Sequence, residues 1–144
     1  MGFLYICTMS TQEKNELKKA SHKEALRYIM NAKEALRKAK KQGNYYQDAK
    51  YVRTASGVAY SGMLLALDTY LRTHDIHPAK SGRKSIEWYR DNLRKLDLKL
   101  LNEVNTAYNT LHILGYYEGE LSVAILHEGM DKAVTVINRI RPTH

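Results

Sequence analysis

One segment of the chain carries aromatic rings and an imidazole at regular spacing. Positions 108 to 117 contain four such side chains: Tyr108, His112, Tyr116 and Tyr117. A tyrosine ring stacks on a nucleic-acid base, and an imidazole gains or loses a proton near neutral pH. The segment is therefore a candidate nucleic-acid-binding site. The same residues also fit the edge of a core or a dimer interface, because tyrosine suits half-buried positions.

A second candidate site is basic. Four cationic side chains lie close together in the first third of the chain: Lys33, Arg37, Lys40 and Lys41. Such side chains would contact phosphates if nucleic acid binds. They belong to an uneven charge distribution, since residues 1–53 carry 12 Lys and Arg against 5 Asp and Glu in a chain of formal charge +8. The alternative is the solvated end of a helix, where cations offset the helix dipole.

Motifs for phosphate loops, metals and redox chemistry are missing from the sequence. It has neither GxxxxGK[ST] nor a strand followed by GxGxxG, so we expect no P-loop or Rossmann cradle. No Glu has a His three residues later, which excludes the paired ligands of a di-iron bundle. Cys7 is the single cysteine, and His127 with Asp131 makes only part of a zinc helix. Asp68 lies in an apolar run, where an ion pair with Arg72 is the simplest arrangement. We therefore predict no metal and no cofactor.

Helical periodicity runs through almost the whole sequence. Apolar or small residues recur at steps of three and four, and they predict five helices: about 10–42, 45–72, 85–96, 97–114 and 119–140. Gly43 and Pro78 mark breaks between helices, and no segment alternates as a strand would. Gly57 and Gly62 indicate that another helix backbone approaches the second helix. The sequence therefore predicts an all-α protein, a single up-and-down bundle of four to five helices.

The domain boundaries depend on where the first helix begins. Ser10 and Ser21 compete as its N-cap, since each has a glutamate three residues later in the spacing of a capping box. We assign residues 10–142 to one helical-bundle domain. We assign residues 1–9 to a disordered or non-native extension, with Met9 as the expected natural start.

Three segments carry a resemblance to a known superfamily. They read GNYYQDA from residue 43, ASGVAYSGMLLALDTYL from residue 55 and NTAYNTLHILGYYEG from residue 105. Over residues 13–140 the chain resembles the HEPN superfamily of small helical bundles, and in particular an uncharacterised bacterial family of short HEPN-like bundles. The resemblance implies a homodimer associated with RNA or nucleotides. It also implies a protein partner such as a nucleotidyltransferase or an antitoxin.

The ribonuclease motif of that superfamily is not intact in this chain. Its catalytic members carry an Arg, four to six further residues and then a His near the start of the last core helix. Arg72 with His77 and Arg139 with His144 have this spacing but lie elsewhere. At the expected place the chain has His112 without an arginine. We therefore lean against enzymatic activity and assign no catalytic residue; the comparison with the motif leaves His112, as its remnant, the candidate if activity is present.

These observations predict a HEPN-like, non-catalytic module or accessory subunit that binds RNA or a nucleotide in the bacterial cytoplasm. One alternative is a protein-interaction or structural bundle without a nucleic-acid role, and a second is a divergent ribonuclease. A membrane role is not expected, because the longest uncharged stretch, residues 54–67, has 14 residues, whereas a spanning helix needs about 20.

Overall fold

The computed structural model describes residues 8–78 and 84–142, and most of them are helical. The helical elements are α1 (Thr11–Lys38), α2 (Ala49–Arg72), α3 (Ile86–Leu96), α4 (Leu98–Ala107), a π-helical segment (Tyr108–Tyr117) and α5 (Val123–Asn138). They pack together as a bundle, so the prediction of an all-α fold is confirmed. No helix in the described ranges is long and apolar enough to cross a membrane. The expectation for residues 1–9 falls largely outside these ranges, and the assignment of 10–142 to one domain stays a prediction.

Ser10, rather than Ser21, begins the first helix. The hydroxyl of Ser10 accepts a hydrogen bond from the backbone N–H of Glu13 at 3.1 Å. The Glu13 carboxylate accepts one from the backbone N–H of Ser10 at 2.9 Å, which completes a capping box. Ser21 is buried within α1, where its oxygen accepts a hydrogen bond from Thr69 of α2 at 2.6 Å. The second candidate cap is therefore a contact between helices.

A short β-hairpin lies between α1 and α2. Strand β1 (Lys41–Gln42) pairs antiparallel with strand β2 (Tyr45–Tyr46). The predictions of helix up to residue 42 and from residue 45, and of a chain without strands, are wrong here. The physical reason is the backbone of Lys40 and Gly43, whose φ values of 56° and 62° lie in the left-handed region and end the helical geometry.

The hairpin is fixed to the beginning of α5. The backbone N–H of Tyr46 donates to the carbonyl of Leu121 at 2.8 Å, and that of Val123 donates to the carbonyl of Asn44 at 3.0 Å. These bonds satisfy polar backbone groups that would otherwise be left without partners. The chain segment that follows α1 is therefore held against the last helix.

α2 lies at the centre of the bundle, and eleven of its residues are buried. A Cβ on Gly62 would lie 2.7 Å from Cβ of Tyr28 and 3.1 Å from the carbonyl oxygen of Ala25. The close approach of another helix at Gly62 is thus confirmed, and that helix is α1. Gly57 has a different neighbour, because a Cβ there would lie 3.1 Å from the ring of Tyr116.

The fourth predicted helix consists of two elements. Its N-cap is Asp97, whose carboxylate accepts from the backbone N–H of Leu100 at 3.0 Å. The predicted end before Gly115 is wrong, because the chain continues as the π segment through that residue. Gly115 packs directly on α2, where a Cβ would lie only 2.1 Å from Oγ of Ser56. α5 then begins after its N-cap Ser122, later than predicted.

Candidate functional site

The four predicted ring residues lie together along the π segment. Its hydrogen bonds run from residue i to i+5 and make each turn wider than in an α-helix, so side chains four and five positions apart share a face. His112 is central, with its ring centroid 5.2 Å from that of Tyr108. The centroids of Tyr116 and Tyr117 lie 5.9 and 4.9 Å from that of His112. The structure therefore brings together all four residues that the sequence predicts here.

α2 contributes a fifth ring. Tyr60 stacks on His112 with centroids 4.6 Å apart and ring planes 25° apart. Tyr60 is 8% exposed, whereas Tyr116 and Tyr117 are 44% and 60% exposed. The stack thus runs from the core to the surface. We call these five residues the aromatic cluster: Tyr60, Tyr108, His112, Tyr116 and Tyr117. Sequence reasoning missed Tyr60, because no local pattern links it to the π segment.

Arg53 of α2 holds the exposed end of the cluster. Its Nη1 donates to the backbone oxygens of Tyr116 and Tyr117 at 3.0 and 2.5 Å. These carbonyls end a helical segment, where oxygens lack helical partners and carry the negative end of the dipole. Gly119 has a φ of 68°, and a Cβ there would lie 2.8 Å from Arg53. The guanidinium and the glycine together fix where the two tyrosines emerge.

A cation from α3 lies over another ring of the cluster. The guanidinium carbon of Arg90 is 4.8 Å from the ring centroid of Tyr108, a cation–π contact. Its Nε donates to the side chain of Asn105 at 2.8 Å, and its Nη1 donates to Glu87 at 2.7 Å. Arg90 had no signal in the sequence, because its contact with Tyr108 exists only after α3 and α4 have packed together.

Burial keeps the centre of the cluster uncharged. It lowers the pKa of His112, so the imidazole is neutral at pH 7. Burial, with a smaller contribution from Tyr108, raises the pKa of Tyr60 to about 12. The rings that contact His112 in the described part of the chain belong to tyrosines. Stacking is therefore the chemistry that this arrangement offers best.

A groove of about 570 Å³ lies beside the cluster. Tyr28 of α1 forms one part of its lining, and Thr54 and Ser61 of α2 add hydroxyl groups. Ligand pockets in proteins commonly have about 300–1,000 Å³ and combine apolar walls with a few polar groups. We call this cavity the aromatic groove, and its ring- and cation-bearing lining is Tyr28, Arg53, Tyr60, His112, Tyr116 and Tyr117.

The four predicted cations line a separate cavity of about 630 Å³. Leu36, Tyr46 and Met130 supply its apolar surface, and His127 and Asp131 complete the lining. We call this cavity the basic cavity, and its predicted lining residues are Lys33, Arg37, Lys40 and Lys41. Seven of the eight residues predicted from the sequence therefore line two cavities that share no lining residue, and Tyr108 packs beside the aromatic groove through its contact with His112.

Three parts of the chain build the basic cavity. Lys33 and Arg37 are one turn apart on α1, and His127 and Asp131 are one turn apart on α5. The hairpin between them supplies Tyr46, whose hydroxyl lies 3.3 Å from Nε2 of His127. Sequence reasoning missed the contribution of α5, because it treated His127 and Asp131 only as part of a metal motif.

Asp68 has partners that the sequence did not predict. Its carboxylate accepts from the hydroxyl of Tyr89 at 2.6 Å and from Nζ of Lys84 at 2.8 Å. The predicted pair with Arg72 is therefore wrong. Tyr89 of α3 and Lys84, just before α3, bind the carboxylate instead. Burial and the bond to Asp68 raise the pKa of Tyr89. In the described ranges, no three His, Cys, Asp or Glu side chains converge as a metal site requires.

The two displaced Arg–His spacings fall at helix ends. Arg72 ends α2, and His77 follows the turn after it. Arg139 follows α5 and donates to the carboxylate of Asp97 at 2.6 Å, while His144 lies outside the described residues. The first spacing is therefore part of an exposed surface, and the second places its arginine in a structural ion pair.

Comparisons with known proteins give a family and a fold without an activity. The family model described as "Domain of unknown function (DUF5618)" matches residues 20–142. A solved structure of a protein of unknown function from Dyadobacter fermentans is similar, with 36% identity and a TM-score of 0.76. The match covers 92% of this chain and 98% of that one. No curated protein matches the chain. The resemblance to the HEPN superfamily stays a prediction.

Proposed function

Because the chain belongs to the DUF5618 family, whose description assigns no activity, we propose a function from its geometry: a non-catalytic module that binds single-stranded RNA by stacking unpaired bases in the aromatic groove. One observation carries the proposal, namely the stack that begins at buried Tyr60 and ends at exposed Tyr116 and Tyr117. The planes of His112 and Tyr116 differ by only 4°. A base entering the groove would extend a stack that the protein has already formed.

Single-stranded RNA fits this groove for a physical reason. Unpaired bases expose their faces, and proteins recognise them by stacking on tyrosine, histidine and arginine side chains. Each base–aromatic contact contributes about 1–3 kcal/mol and depends little on sequence. The formal charge of +8 favours encounter with a polyanion. Arg53, which is exposed and lines the groove, adds a cation where the backbone of a bound strand would pass.

The resemblance to the HEPN superfamily extends this proposal to partners. It supports a homodimer in the bacterial cytoplasm, together with a protein partner such as a nucleotidyltransferase or an antitoxin. Leu96 and Leu98 offer a place for protein contact at the junction of α3 and α4, because they are 38% and 63% exposed. Exposed apolar side chains in neighbouring positions are typical of interaction surfaces.

Catalysis is not part of the proposal. Acid–base catalysis of RNA cleavage requires charge stabilisation beside the histidine. His112 instead packs among neutral rings, and burial lowers its pKa. Bound RNA should therefore stay intact.

The experiment is a titration of purified protein into fluorescently labelled single-stranded RNA with a 5′-hydroxyl end, at about 50 and 200 mM salt. The test variant is Tyr116→Leu/Tyr117→Leu, which removes the two exposed rings. The matched control is Tyr45→Leu, since Tyr45 is 59% exposed and lies outside the groove. Loss of stacking should weaken binding about tenfold or more. The same samples on a gel report cleavage.

Two results would overturn the proposal. One is equal affinity of the groove variant and the wild type, which would mean that the rings do not contact RNA. The other is cleavage of the RNA that disappears in His112→Ala, which would establish the divergent ribonuclease instead.

The second candidate function is protein interaction without RNA. The exposure of Leu98 favours it. Its signature would be the absence of an RNA shift at micromolar protein, together with a change of molar mass in light scattering for Leu98→Ser. A wild-type dimer that persists in Leu98→Ser would place the interface elsewhere.

A further inference from the structure

The basic cavity gathers cations around an apolar floor. Leu36 and Met130 form that floor and are 6% and 4% exposed. Within the described residues, the ion pairs leave Lys33, Lys40 and Lys41 without a carboxylate partner, whereas Arg37 pairs with Glu34. Three ammonium groups without an ion-pair partner at one cavity give it a positive potential that attracts an anionic ligand.

We propose that the basic cavity binds a mononucleotide, with the lysines holding its phosphate. This inference goes beyond the binding of RNA bases, because it concerns a different cavity and a different part of the ligand. Phosphate oxygens accept several hydrogen bonds from lysine and arginine at once. A volume of about 630 Å³ is in the range of small-molecule sites.

The backbone at Lys40 supports a ligand-binding role. Its φ is 56°, in the left-handed region that glycine adopts easily and other residues adopt at a cost. Helices commonly end with glycine at this position. The carbonyl of Lys40 accepts from the backbone N–H of Gln47 at 2.9 Å, so the hairpin holds the strained conformation. A lysine in such a position adds a third ammonium group to the cavity, and strained residues often cluster at binding sites.

The carboxylate of Asp131 selects among phosphorylated ligands. A carboxylate repels a phosphate, so its presence disfavours inorganic phosphate and other bare anions. It accepts hydrogen bonds from hydroxyl groups, as acidic residues do from ribose in dinucleotide-binding proteins. The lining therefore offers cations for a phosphate, a carboxylate for sugar hydroxyls and an apolar floor for a base.

Tyr46 of the hairpin and His127 of α5 both line the cavity. Their contact of 3.3 Å joins the hairpin to α5, and the ring of Tyr46 lies 6.0 Å from Nζ of Lys41. Tyr46 is 3% exposed, so its position is set by packing. His127 is exposed, so its imidazole offers a ring and a second nitrogen to a bound base.

The test is isothermal titration calorimetry of the full chain with 5′-AMP, adenosine and inorganic phosphate. We expect 5′-AMP to bind at least tenfold more tightly than adenosine, because charge-assisted bonds to phosphate are lost in adenosine. Lys33→Gln/Lys41→Gln should weaken 5′-AMP binding by tenfold or more. The matched control is Lys23→Gln, an exposed α1 residue outside the cavity, which should leave the affinity unchanged. Thermal unfolding of each variant reports whether the fold is kept.

A second variant tests the carboxylate. Asp131→Asn should weaken 5′-AMP binding severalfold and strengthen the binding of inorganic phosphate, because repulsion falls while the bond to the sugar weakens. If Asp131→Asn strengthens the binding of 5′-AMP and of inorganic phosphate equally, the role of Asp131 is contradicted. Adenosine binding as tightly as 5′-AMP, or an effect of Lys23→Gln equal to that of the cavity pair, would overturn the proposal.

Binding measurements also distinguish two sources of the phosphate, a free mononucleotide and the 5′ end of an RNA. A free nucleotide should bind as well as an RNA 5′-monophosphate if the cavity takes the whole mononucleotide. Stronger binding of 5′-phosphorylated RNA than of 5′-hydroxyl RNA, lost in Lys33→Gln/Lys41→Gln, would place an RNA end in the cavity. Because 5′-AMP and 5′-hydroxyl RNA probe different cavities, either proposal can fail without the other.

Discussion

The aromatic groove and the basic cavity are built in opposite ways. The groove depends on a distorted helix, in which the π segment presents His112 and two exposed tyrosines to rings from other helices. The basic cavity depends on a regular α-helix and the turn after it, with Lys33 and Arg37 one turn apart on α1 and Lys40 in the left-handed turn that leads to the hairpin. The groove is thus sensitive to packing beneath it, whereas the cavity is sensitive to charge and to the hairpin.

The largest expected effect comes from Gly115→Ala. A Cβ at this position would lie 2.1 Å from Oγ and 2.7 Å from Cβ of Ser56. Both atoms are buried in α2, so the π segment must shift. We expect a loss of about 3 kcal/mol in the free energy of unfolding, measured by urea denaturation.

Gly57→Ala is the matched control for Gly115→Ala. The three atoms nearest to its Cβ would all belong to the ring of Tyr116, the first at 3.1 Å, and that ring is exposed enough to move. Alanine also favours the helix by about 1 kcal/mol. Equal destabilisation by the two substitutions would contradict the close packing of the π segment on α2. Folded Gly115→Ala protein should still bind 5′-AMP, because the basic cavity lies elsewhere.

Arg90→Gln tests the cation that α3 places over Tyr108 in the aromatic cluster. The substitution removes the cation over Tyr108 and should weaken RNA binding or stability by about 1 kcal/mol. Arg94→Gln on the same helix is the control, since Arg94 pairs with exposed Asp91 and should change stability by less than about 0.5 kcal/mol. Fluorescence titration and urea denaturation measure the two effects. If Arg94→Gln costs as much as Arg90→Gln, the contact with Tyr108 has no special role.

Tyr46→Phe probes the basic cavity. It removes the hydroxyl that lies 3.3 Å from Nε2 of His127, and we expect 5′-AMP binding to weaken by about 0.5–1 kcal/mol. Binding of 5′-hydroxyl RNA should not change. Tyr45→Phe removes a neighbouring exposed hydroxyl and serves as the calorimetric control. A loss of RNA binding in Tyr46→Phe would show that the two cavities are coupled.

The smallest effect concerns pH and follows from His112. Burial lowers its pKa in the folded protein, so between that value and the unfolded pKa of about 6.5 the unfolded chain binds more protons. The stability of the protein therefore falls as the pH falls from about 6.5 to the folded pKa of His112. Below that pKa, His112 causes no further loss. In His112→Phe the loss should be smaller, as measured by the melting temperature at about pH 7.5 and 5. An identical pH dependence in both proteins would contradict the burial of His112.

Much of the fold was predictable, because helices of this chain repeat their apolar residues every three or four positions. Gly62 was correctly interpreted, since a glycine inside a buried helix indicates a close backbone. The hairpin was not predictable from periodicity, because two-residue strands have no pattern and the left-handed conformation of Lys40 is unusual for lysine. The π segment was missed because its sequence also fits an α-helix. The feature that sets it apart is the packing of Gly115 on Ser56, which is a tertiary contact.

The candidate sites were predictable only where their members are near in sequence. Nearness in the sequence and shared residue type grouped Lys33 with Arg37 and Tyr108 with His112. Tyr60 joins the groove from a distant part of the chain. The separation of the candidate residues into two cavities is a property of tertiary packing. α1, α5 and the hairpin enclose the basic cavity, whereas α1, α2 and the π segment enclose the aromatic groove.

The most direct test of the account compares two variants on one ligand. The dissociation constant of 5′-hydroxyl single-stranded RNA is measured for wild type, Tyr116→Leu/Tyr117→Leu and Lys33→Gln/Lys41→Gln under the same salt. We predict a loss of about tenfold or more for the tyrosine variant, and a change of less than about threefold for the lysine variant, as expected from long-range charge alone. Equal losses, or a larger loss in the lysine variant, would contradict the central claim that RNA bases bind in the aromatic groove.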